Sequence, residues 1–120
     1  GSIVLVSSIY GIVGPDFDIY EGETFETEPD YPFIKGGIVN YCKYLASYMR
    51  NSDVRVNCLV AGGLLSNQPD SFIKRYASKT LLGRMANEKD ISGPLVFLLS
   101  DMSSYMTGTS LTVDGGWTAK

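Results

Sequence analysis

Three short runs rich in apolar and β-branched residues divide the chain. They lie at residues 3–7, 54–60 and 109–113. Runs of this length are typical of strands that are buried on both faces, as in a parallel sheet. The first run ends at Ser7-Ser8, and ligands of open α/β sheets bind at such carboxyl ends of strands.

Apolar residues at helical spacing predict three helices. We expect them at residues 30–49, 69–77 and 87–99. Asp30 is the expected N-cap of the first helix, and residues 87–90 resemble a capping box at the start of the third. The stripe expected to pack the first helix consists of Phe33, Ile34, Ile38, Tyr41, Leu45 and Tyr48. Strands that alternate with helices predict an α/β fold with a parallel sheet and right-handed crossovers.

A long acidic segment, residues 11–30, joins the first strand to the first helix. Glycine and proline interrupt it, and it is rich in Asp and Glu. One interpretation is a solvated surface loop. The other is a substrate-side loop in which Tyr20 and Phe25 help to shape a pocket, because loops of this length are commonly functional.

Composition limits the remaining classes of function. The chain has 120 residues, a net charge of −3 and no long basic run, so we expect no nucleic-acid partner. No apolar run reaches the roughly 18 to 20 residues of a membrane span, and we expect no membrane partner. Cys42 and Cys58 lie in apolar segments, which predicts buried free thiols in a reducing, cytoplasmic compartment. Because the chain has no histidine, Ser-His-Asp and Cys-His mechanisms are excluded within it, and no metal site is expected.

Tyr31 and Lys35 are four residues apart in the first predicted helix and therefore lie on the same side of it. An ammonium group near a phenol favours the phenolate, and such a phenol can exchange a proton with a carbonyl or alcohol oxygen. Taken alone, the spacing is more typical of a solvated helix face. Gly36 and Gly37 follow directly, and two adjacent helical glycines indicate close approach of another backbone or of a cofactor.

Other motifs accompany this pair in a fixed order. Ile3-Val4-Leu5-Val6 and Ser7-Ser8-Ile9-Tyr10-Gly11 precede it, and Arg55-Val56-Asn57, Ala61-Gly62-Gly63 and Asp114-Gly115-Gly116 follow it. In this order the motifs resemble the short-chain dehydrogenase/reductase family over nearly the whole chain. The resemblance implies the C-terminal half of a Rossmann-like, doubly wound parallel sheet, with three strands and helices on both faces.

The resemblance also implies a catalytic group. Ser8 matches the serine that hydrogen-bonds the substrate oxygen, Tyr31 matches the proton donor or acceptor, and Lys35 matches the lysine that tunes the tyrosine. The implied cofactor is NAD or NADP, with hydride transfer between the nicotinamide and a small-molecule alcohol or carbonyl substrate. The cofactor contacts that the resemblance implies are Tyr31, Lys35, Gly62, Leu64 and Ser66.

Two departures from the family pattern limit this interpretation. Ala61 stands where relatives have proline, so the turn that holds the nicotinamide loses rigidity. The glycine-rich turn that binds the dinucleotide is missing. Residues 1–120 are therefore expected to form a single, partial Rossmann-like domain that lacks the N-terminal dinucleotide-binding half, and this chain alone is expected to be inactive.

Three short strings of residues resemble a narrower group of dehydrogenases and imply a class of substrate. Tyr20-Glu21-Gly22, Lys35-Gly36-Gly37 and Asn67-Gln68-Pro69 are similar to dehydrogenases of bacterial surface-sugar and flagellin-glycan pathways, which implies a sugar substrate and carbohydrate biosynthesis. One alternative is a non-catalytic, oligomerising interaction module that keeps the fold without cofactor binding. Another is an epimerase or dehydratase of the extended branch, against which the Asp-Gly-Gly ending argues. A homo-oligomer is expected, formed through the edge at residues 3–7 or through the helix at residues 30–49.

Overall fold

The structure is a computed structural model and describes all 120 residues. Its centre is a three-stranded parallel sheet in the order β1-β2-β3. The strands are β1 (Ser2–Ser8), β2 (Arg55–Ala61) and β3 (Ser110–Val113). Strand β2 is central and is the most deeply buried of the three, as its apolar sequence requires. The predicted α/β class, with three neighbouring parallel strands, is confirmed.

Three helices connect these strands. They are α1 (Asp30–Tyr48), α2 (Asp70–Lys79) and α3 (Glu88–Leu99). Short 3-10 turns lie at Ile9–Gly11, Phe17–Tyr20, Asp101–Ser103 and Trp117–Ala119. None of the helices combines the length and the apolar character that crossing a membrane requires.

The main core lies where one face of β2 meets α1. Val56, Cys58 and Val60 alternate along β2 and are buried with Cys42 of α1. Both cysteines are free, as predicted. Burial raises the pKa of each thiol, so both remain protonated at neutral pH.

Two expectations for α1 are wrong. Asp30 is the first helical residue, and Pro29 occupies the N-cap position without a side-chain hydrogen bond. The packed face differs from the predicted stripe, because Phe33 is 82% exposed and Tyr48 is 68% exposed. The residues that pack against the core are Ile38, Val39, Cys42, Leu45, Ala46 and Met49. Helix α1 carries apolar residues on two faces, and only the face centred on Cys42 meets the sheet of this chain.

The predicted capping box of α3 is present. The Asn87 side chain accepts hydrogen bonds from the backbone N–H groups of Lys89 and Asp90, and the Asp90 carboxylate accepts one from the backbone N–H of Asn87. Asp90 also forms a two-pronged ion pair with Arg84, at 2.6 and 3.0 Å. The helix continues through Pro94 to Leu99. Leu98 is buried, whereas Leu99 is exposed.

The close backbone contact expected at Gly36 and Gly37 lies elsewhere. A Cβ atom placed at Gly37 would meet nothing within 4 Å, and one at Gly36 would lie 3.6 Å from the Gly11 carbonyl oxygen, an ordinary contact. By contrast, a Cβ atom at Gly11 would lie 2.6 Å from both the Lys35 carbonyl oxygen and the Ser7 hydroxyl. Gly11 is therefore the residue that lets α1 approach the end of β1.

We expect Gly11→Ala to lower the free energy of unfolding by about 1–3 kcal/mol, because the added methyl must push α1 away from β1. Gly37→Ala is the matched control, since its methyl enters open space. Alanine is favoured over glycine in helices by about 1 kcal/mol, so this variant should be as stable as the wild type or more stable. Chemical denaturation measures both changes. Equal stability of Gly11→Ala and the wild type would contradict the proposed contact.

The ion pair of Asp90 predicts a specific dependence of stability on pH. The hydrogen bonds from Arg84 and from the Asn87 backbone lower the pKa of Asp90 from 3.8 to about 2. The folded state therefore binds this proton less readily than the unfolded state, and the stabilisation is complete above pH ~4 and lost as the pH falls through 2. We expect Asp90→Asn to be less stable than the wild type at pH 6, with the difference shrinking toward pH 2 in denaturation curves. Glu88→Gln, in the same helical turn but without an ion pair, should show no such convergence.

Candidate active site

A cavity of about 460 Å³ lies at the carboxyl ends of β1 and β2, where the sheet opens between α1 and α2. Its lining comes from the end of β1, the long loop, the first turns of α1, the turn after β2, and α2. Ser8, Tyr31, Lys35, Gly62 and Leu64, which the sequence singled out, all line it. Five segments of the chain thus converge on one space.

Ser8 is buried at the carboxyl end of β1. Its Oγ accepts a hydrogen bond of 3.2 Å from the backbone N–H of Tyr10, the middle residue of the 3-10 turn that follows the strand. A serine hydroxyl has one proton to donate besides its acceptor lone pairs. Because the contact with Tyr10 uses an acceptor position, the Ser8 proton remains available for an oxygen atom inside the cavity.

Tyr31 and Lys35 lie one turn apart at the start of α1, as predicted. The Lys35 ammonium lies 5.6 Å from the centre of the Tyr31 ring, within the range of a cation–π contact. Lys35 Nζ also donates to the Val6 carbonyl oxygen at 3.2 Å, which holds the charge at the end of β1. The Tyr31 ring meets the ring of Tyr10 edge-on at 6.5 Å and remains 42% exposed, so its hydroxyl is accessible from the cavity side.

The turn after β2 presents a backbone donor to the cavity. The Gly62 N–H donates to the Val113 carbonyl oxygen at 2.9 Å, and the Leu64 carbonyl oxygen accepts from the Gln68 side chain at 2.8 Å. The Leu64 N–H donates to no group of this chain. Ser66 does not line the cavity, and its backbone N–H donates to the Gln68 side chain at 2.7 Å.

The long acidic loop forms one wall of the cavity. Tyr20 and Phe25 line it, and both contact Phe72 of α2 with ring centres 5.5 and 5.4 Å apart. Ion pairs attach the same loop to α2, with Arg75 to Glu23 at 3.0 Å and Lys79 to Asp16 at 2.8 Å. The acidic character of the loop is therefore partly explained by basic partners on α2.

Three tyrosines of the cavity were missed in the sequence, namely Tyr10, Tyr76 and, in its polar role, Tyr20. The hydroxyls of Tyr10 and Tyr20 are 3.3 Å apart. Burial raises the pKa of Tyr10, Tyr20 and Tyr76, so all three are neutral hydroxyls at physiological pH. Phe72 and Tyr76, four residues apart on α2, gave the one usable signal, an aromatic pair on a single helix face. No three side chains of His, Cys, Asp or Glu are grouped to hold a metal ion.

Comparison with protein families gives one match over almost the whole chain. The matching family model is described as enoyl-(acyl carrier protein) reductase and covers residues 1–118. Among curated proteins, the post-translational flagellin modification protein A of Campylobacter coli is 42% identical over 98% of this chain and 46% of its own length. An L-rhamnose 1-dehydrogenase (NAD(P)(+)) of a Sphingomonas species is 34% identical over 97% of this chain and 44% of its own length.

Two solved structures have the same arrangement. A short chain dehydrogenase from Leptospira borgpetersenii with bound NAD+ superposes with a TM-score of 0.91, at 42% identity over 98% of this chain and 44% of its own. A 4-hydroxyisoleucine dehydrogenase complexed with NADH superposes with a TM-score of 0.82 at 23% identity, over 47% of its own chain, and supports the fold alone. The chain thus spans less than half the length of the relatives that it matches.

Proposed function

The chain belongs to the short-chain dehydrogenase/reductase family, and from that membership we propose that it forms the catalytic half of an NAD(P)-dependent oxidoreductase acting on an alcohol or a carbonyl compound. The observation that carries the proposal is the convergence of Ser8, Tyr31 and Lys35 on one cavity at the carboxyl ends of parallel strands. The three residue types together supply what such a reaction needs from the protein: a donor to the substrate oxygen, a proton-exchanging phenol and a nearby cation.

Each residue has one role in this proposal. Ser8 donates its free hydroxyl proton to the substrate oxygen and fixes its position. The Tyr31 hydroxyl gives a proton to that oxygen in reduction and removes one in oxidation. Lys35 places a positive charge beside the Tyr31 ring, with its ammonium 5.6 Å from the ring centre. The Val6 carbonyl and the packing of α1 on β1 keep the lysine in reach.

The residues present fit the nicotinamide side of a dinucleotide. The Leu64 N–H has no acceptor in this chain and can donate to a carboxamide oxygen, and Lys35 can donate to a ribose hydroxyl. A bound nicotinamide cofactor supplies or accepts the hydride. The residues that would bind the adenosine side and choose between NAD and NADP lie outside this chain, so the cofactor is proposed as NAD or NADP. Gly62 and Ser66 are also proposed to contact the cofactor. Gly62 lines the cavity, whereas Ser66 lies outside its lining, in the turn that follows Leu64.

For the substrate we propose a sugar or a related cyclic alcohol. The rings of Tyr10, Tyr20, Phe25 and Phe72 form an aromatic wall on the cavity, and the Tyr10–Tyr20 pair adds hydroxyl groups that remain neutral. Flat aromatic faces beside neutral hydroxyls suit a ring that carries C–H faces and hydroxyls. The names of the flagellin modification protein and the rhamnose dehydrogenase support a role in flagellin modification or other carbohydrate biosynthesis. The two free, buried cysteines support a reducing, cytoplasmic location.

A homo-oligomer is the third part of the proposal. The outer face of α1 exposes Phe33, Tyr41, Tyr44 and Tyr48, and the last three rings stack in a ladder with centres 5.9 and 6.2 Å apart. Exposed apolar faces of this kind are normally covered by a partner. The same face is what favours the alternative function, a non-catalytic interaction module, and turnover measurements separate the two.

We expect Tyr31→Phe in the full-length protein to reduce turnover at least about 100-fold, because it removes the proton-exchanging hydroxyl and leaves the ring. Cofactor affinity should change by less than about twofold. Tyr105→Phe is the matched control, since that ring is fully exposed and lies outside both the cavity and α1. Steady-state kinetics and cofactor titration measure both effects, and retention of more than about a tenth of wild-type turnover in Tyr31→Phe would reject the assigned role.

We expect Tyr44→Glu to shift the full-length protein toward smaller oligomers, because it places a charge at the centre of the exposed ladder on α1. Tyr105→Glu is the control, since Tyr105 is fully exposed and lies outside that face. Sedimentation equilibrium at low micromolar concentration distinguishes the species. A wild-type protein that is already monomeric, or an unchanged assembly in Tyr44→Glu, would contradict the proposed interface.

A further inference from the structure

The backbone of the turn after β2 is held by a side chain from α2. The Gly63 N–H donates a hydrogen bond of 2.5 Å to the hydroxyl oxygen of Tyr76. Tyr76 is buried and the hydrogen bond is partly buried, so removing the phenol oxygen takes away the one acceptor that this N–H has within the chain. A residue 13 positions away in the chain thus satisfies a backbone group beside the catalytic cavity.

The identity of Gly63 follows from the same contact. Its backbone does not adopt a positive φ, so conformational freedom does not explain a glycine here. A Cβ atom at this position would lie 2.6 Å from the Tyr76 ring. Gly63 is therefore a glycine because the Tyr76 ring occupies the space that a side chain would need.

Tyr76 is itself fixed on both sides. Its ring packs on Trp117 with centres 4.5 Å apart and on Phe72 with centres 6.1 Å apart. Burial raises the pKa of Tyr76, so the phenol stays neutral and keeps an acceptor lone pair for Gly63. The hydroxyl oxygen is thus a rigid acceptor and not a mobile surface group.

The opposite edge of the turn is held by the backbone of Ala86. The Ala86 N–H donates to the Gly63 carbonyl oxygen at 3.0 Å, and the Leu65 N–H donates to the Ala86 carbonyl oxygen at 2.8 Å. With Gly63 fixed from both sides, the Leu64 N–H between these contacts is the backbone donor left over. Leu64 lines the cavity that holds Tyr31 and Lys35.

We propose that Tyr76 is a positioning residue for the cofactor: through Gly63 it holds the turn so that the Leu64 N–H points at the nicotinamide carboxamide. This inference rests on the proposed function. The turn Ala61-Gly62-Gly63 holds two glycines and no proline, so its own backbone restrains it weakly and the Tyr76–Gly63 contact supplies a restraint from a side chain. The recognised ligand group is a primary carboxamide, whose oxygen accepts from Leu64.

The test is Tyr76→Phe in the full-length protein, which removes one oxygen atom and keeps the ring. We expect the cofactor dissociation constant and the cofactor KM to rise about tenfold, because the Gly63 N–H loses its acceptor and the turn loosens. We expect kcat at saturating cofactor to fall by less than about threefold, since Tyr76 does not exchange the proton. Tyr105→Phe removes a phenol oxygen from a fully exposed side chain and should leave both constants unchanged.

Amide hydrogen exchange at Gly63 supplies a readout that does not depend on activity. We expect this amide to be protected in the wild type and to exchange at least about tenfold faster in Tyr76→Phe. An unchanged cofactor dissociation constant in Tyr76→Phe, or an equal loss in Tyr105→Phe, overturns the proposal. If the wild type binds neither NAD nor NADP, the proposed function fails and the cofactor role of Tyr76 fails with it. A protected Gly63 amide that Tyr76→Phe exposes would then show that the contact holds the turn for structure alone.

Discussion

The geometry of the candidate site depends on how the second turn of α1 sits on the end of β1. The Ser7 hydroxyl donates to the Lys35 carbonyl oxygen at 2.7 Å, and Lys35 Nζ donates back to the Val6 carbonyl oxygen at 3.2 Å. Gly11 allows this reciprocal contact because any side chain there would strike the same carbonyl. The backbone of Lys35 is thus fixed by one residue of β1 and its side chain by the residue before it. Since Tyr31 lies one turn earlier on the same helix, a contact made at Lys35 also sets the position of the phenol in the cavity that Ser8 lines.

A second contact of the same kind operates across the cavity. At Gly11 and at Gly63 a missing side chain lets two segments approach. Beside Gly11 the Ser7 hydroxyl donates to the backbone of α1, and at Gly63 the Tyr76 hydroxyl accepts from the backbone of the turn. The acidic loop is attached to α2 both by ion pairs and by aromatic contacts. The ion pairs are partly buried, with the Glu23 side chain 7% exposed, and the rings of Tyr20 and Phe25 pack on Phe72, so ionic and aromatic contacts both hold the loop on α2. Helix α2 therefore joins the substrate-side wall to the turn that is proposed to hold the cofactor.

Local periodicity predicted the three strands and their helices, whereas the convergence of Ser8, Tyr31 and Lys35 was implied by the resemblance to the short-chain dehydrogenase/reductase family. It failed for the packed face of α1, because that helix is apolar on two sides and periodicity does not say which side meets the sheet. The buried Cys42, a small apolar residue, marks the face of α1 that meets the sheet. The contact of Tyr76 with Gly63 could not be predicted either, since it joins two segments that only the path of the chain brings together. The pair of glycines at Gly62 and Gly63 was visible, but its meaning depends on which ring fills the space beside it.

The parts of the candidate site differ in how far contacts within this chain hold them. The contacts that hold Ser8, Tyr31 and Lys35 all lie in the segment from Val6 to Lys35, so the geometry of the proposed proton-exchanging group is set within this chain. The Leu64 N–H, the proposed donor to the nicotinamide, is also held by contacts within this chain. Val113, Tyr76 and Ala86 all form hydrogen bonds with the turn around it. The free edge of β1 is different, since it pairs only with β2 and exposes Ile3 and Val6. A strand placed against that edge would extend the parallel sheet on the side of β1. Its carboxyl end would then lie beside Ser8 and Lys35, at the edge where ligands of such sheets bind.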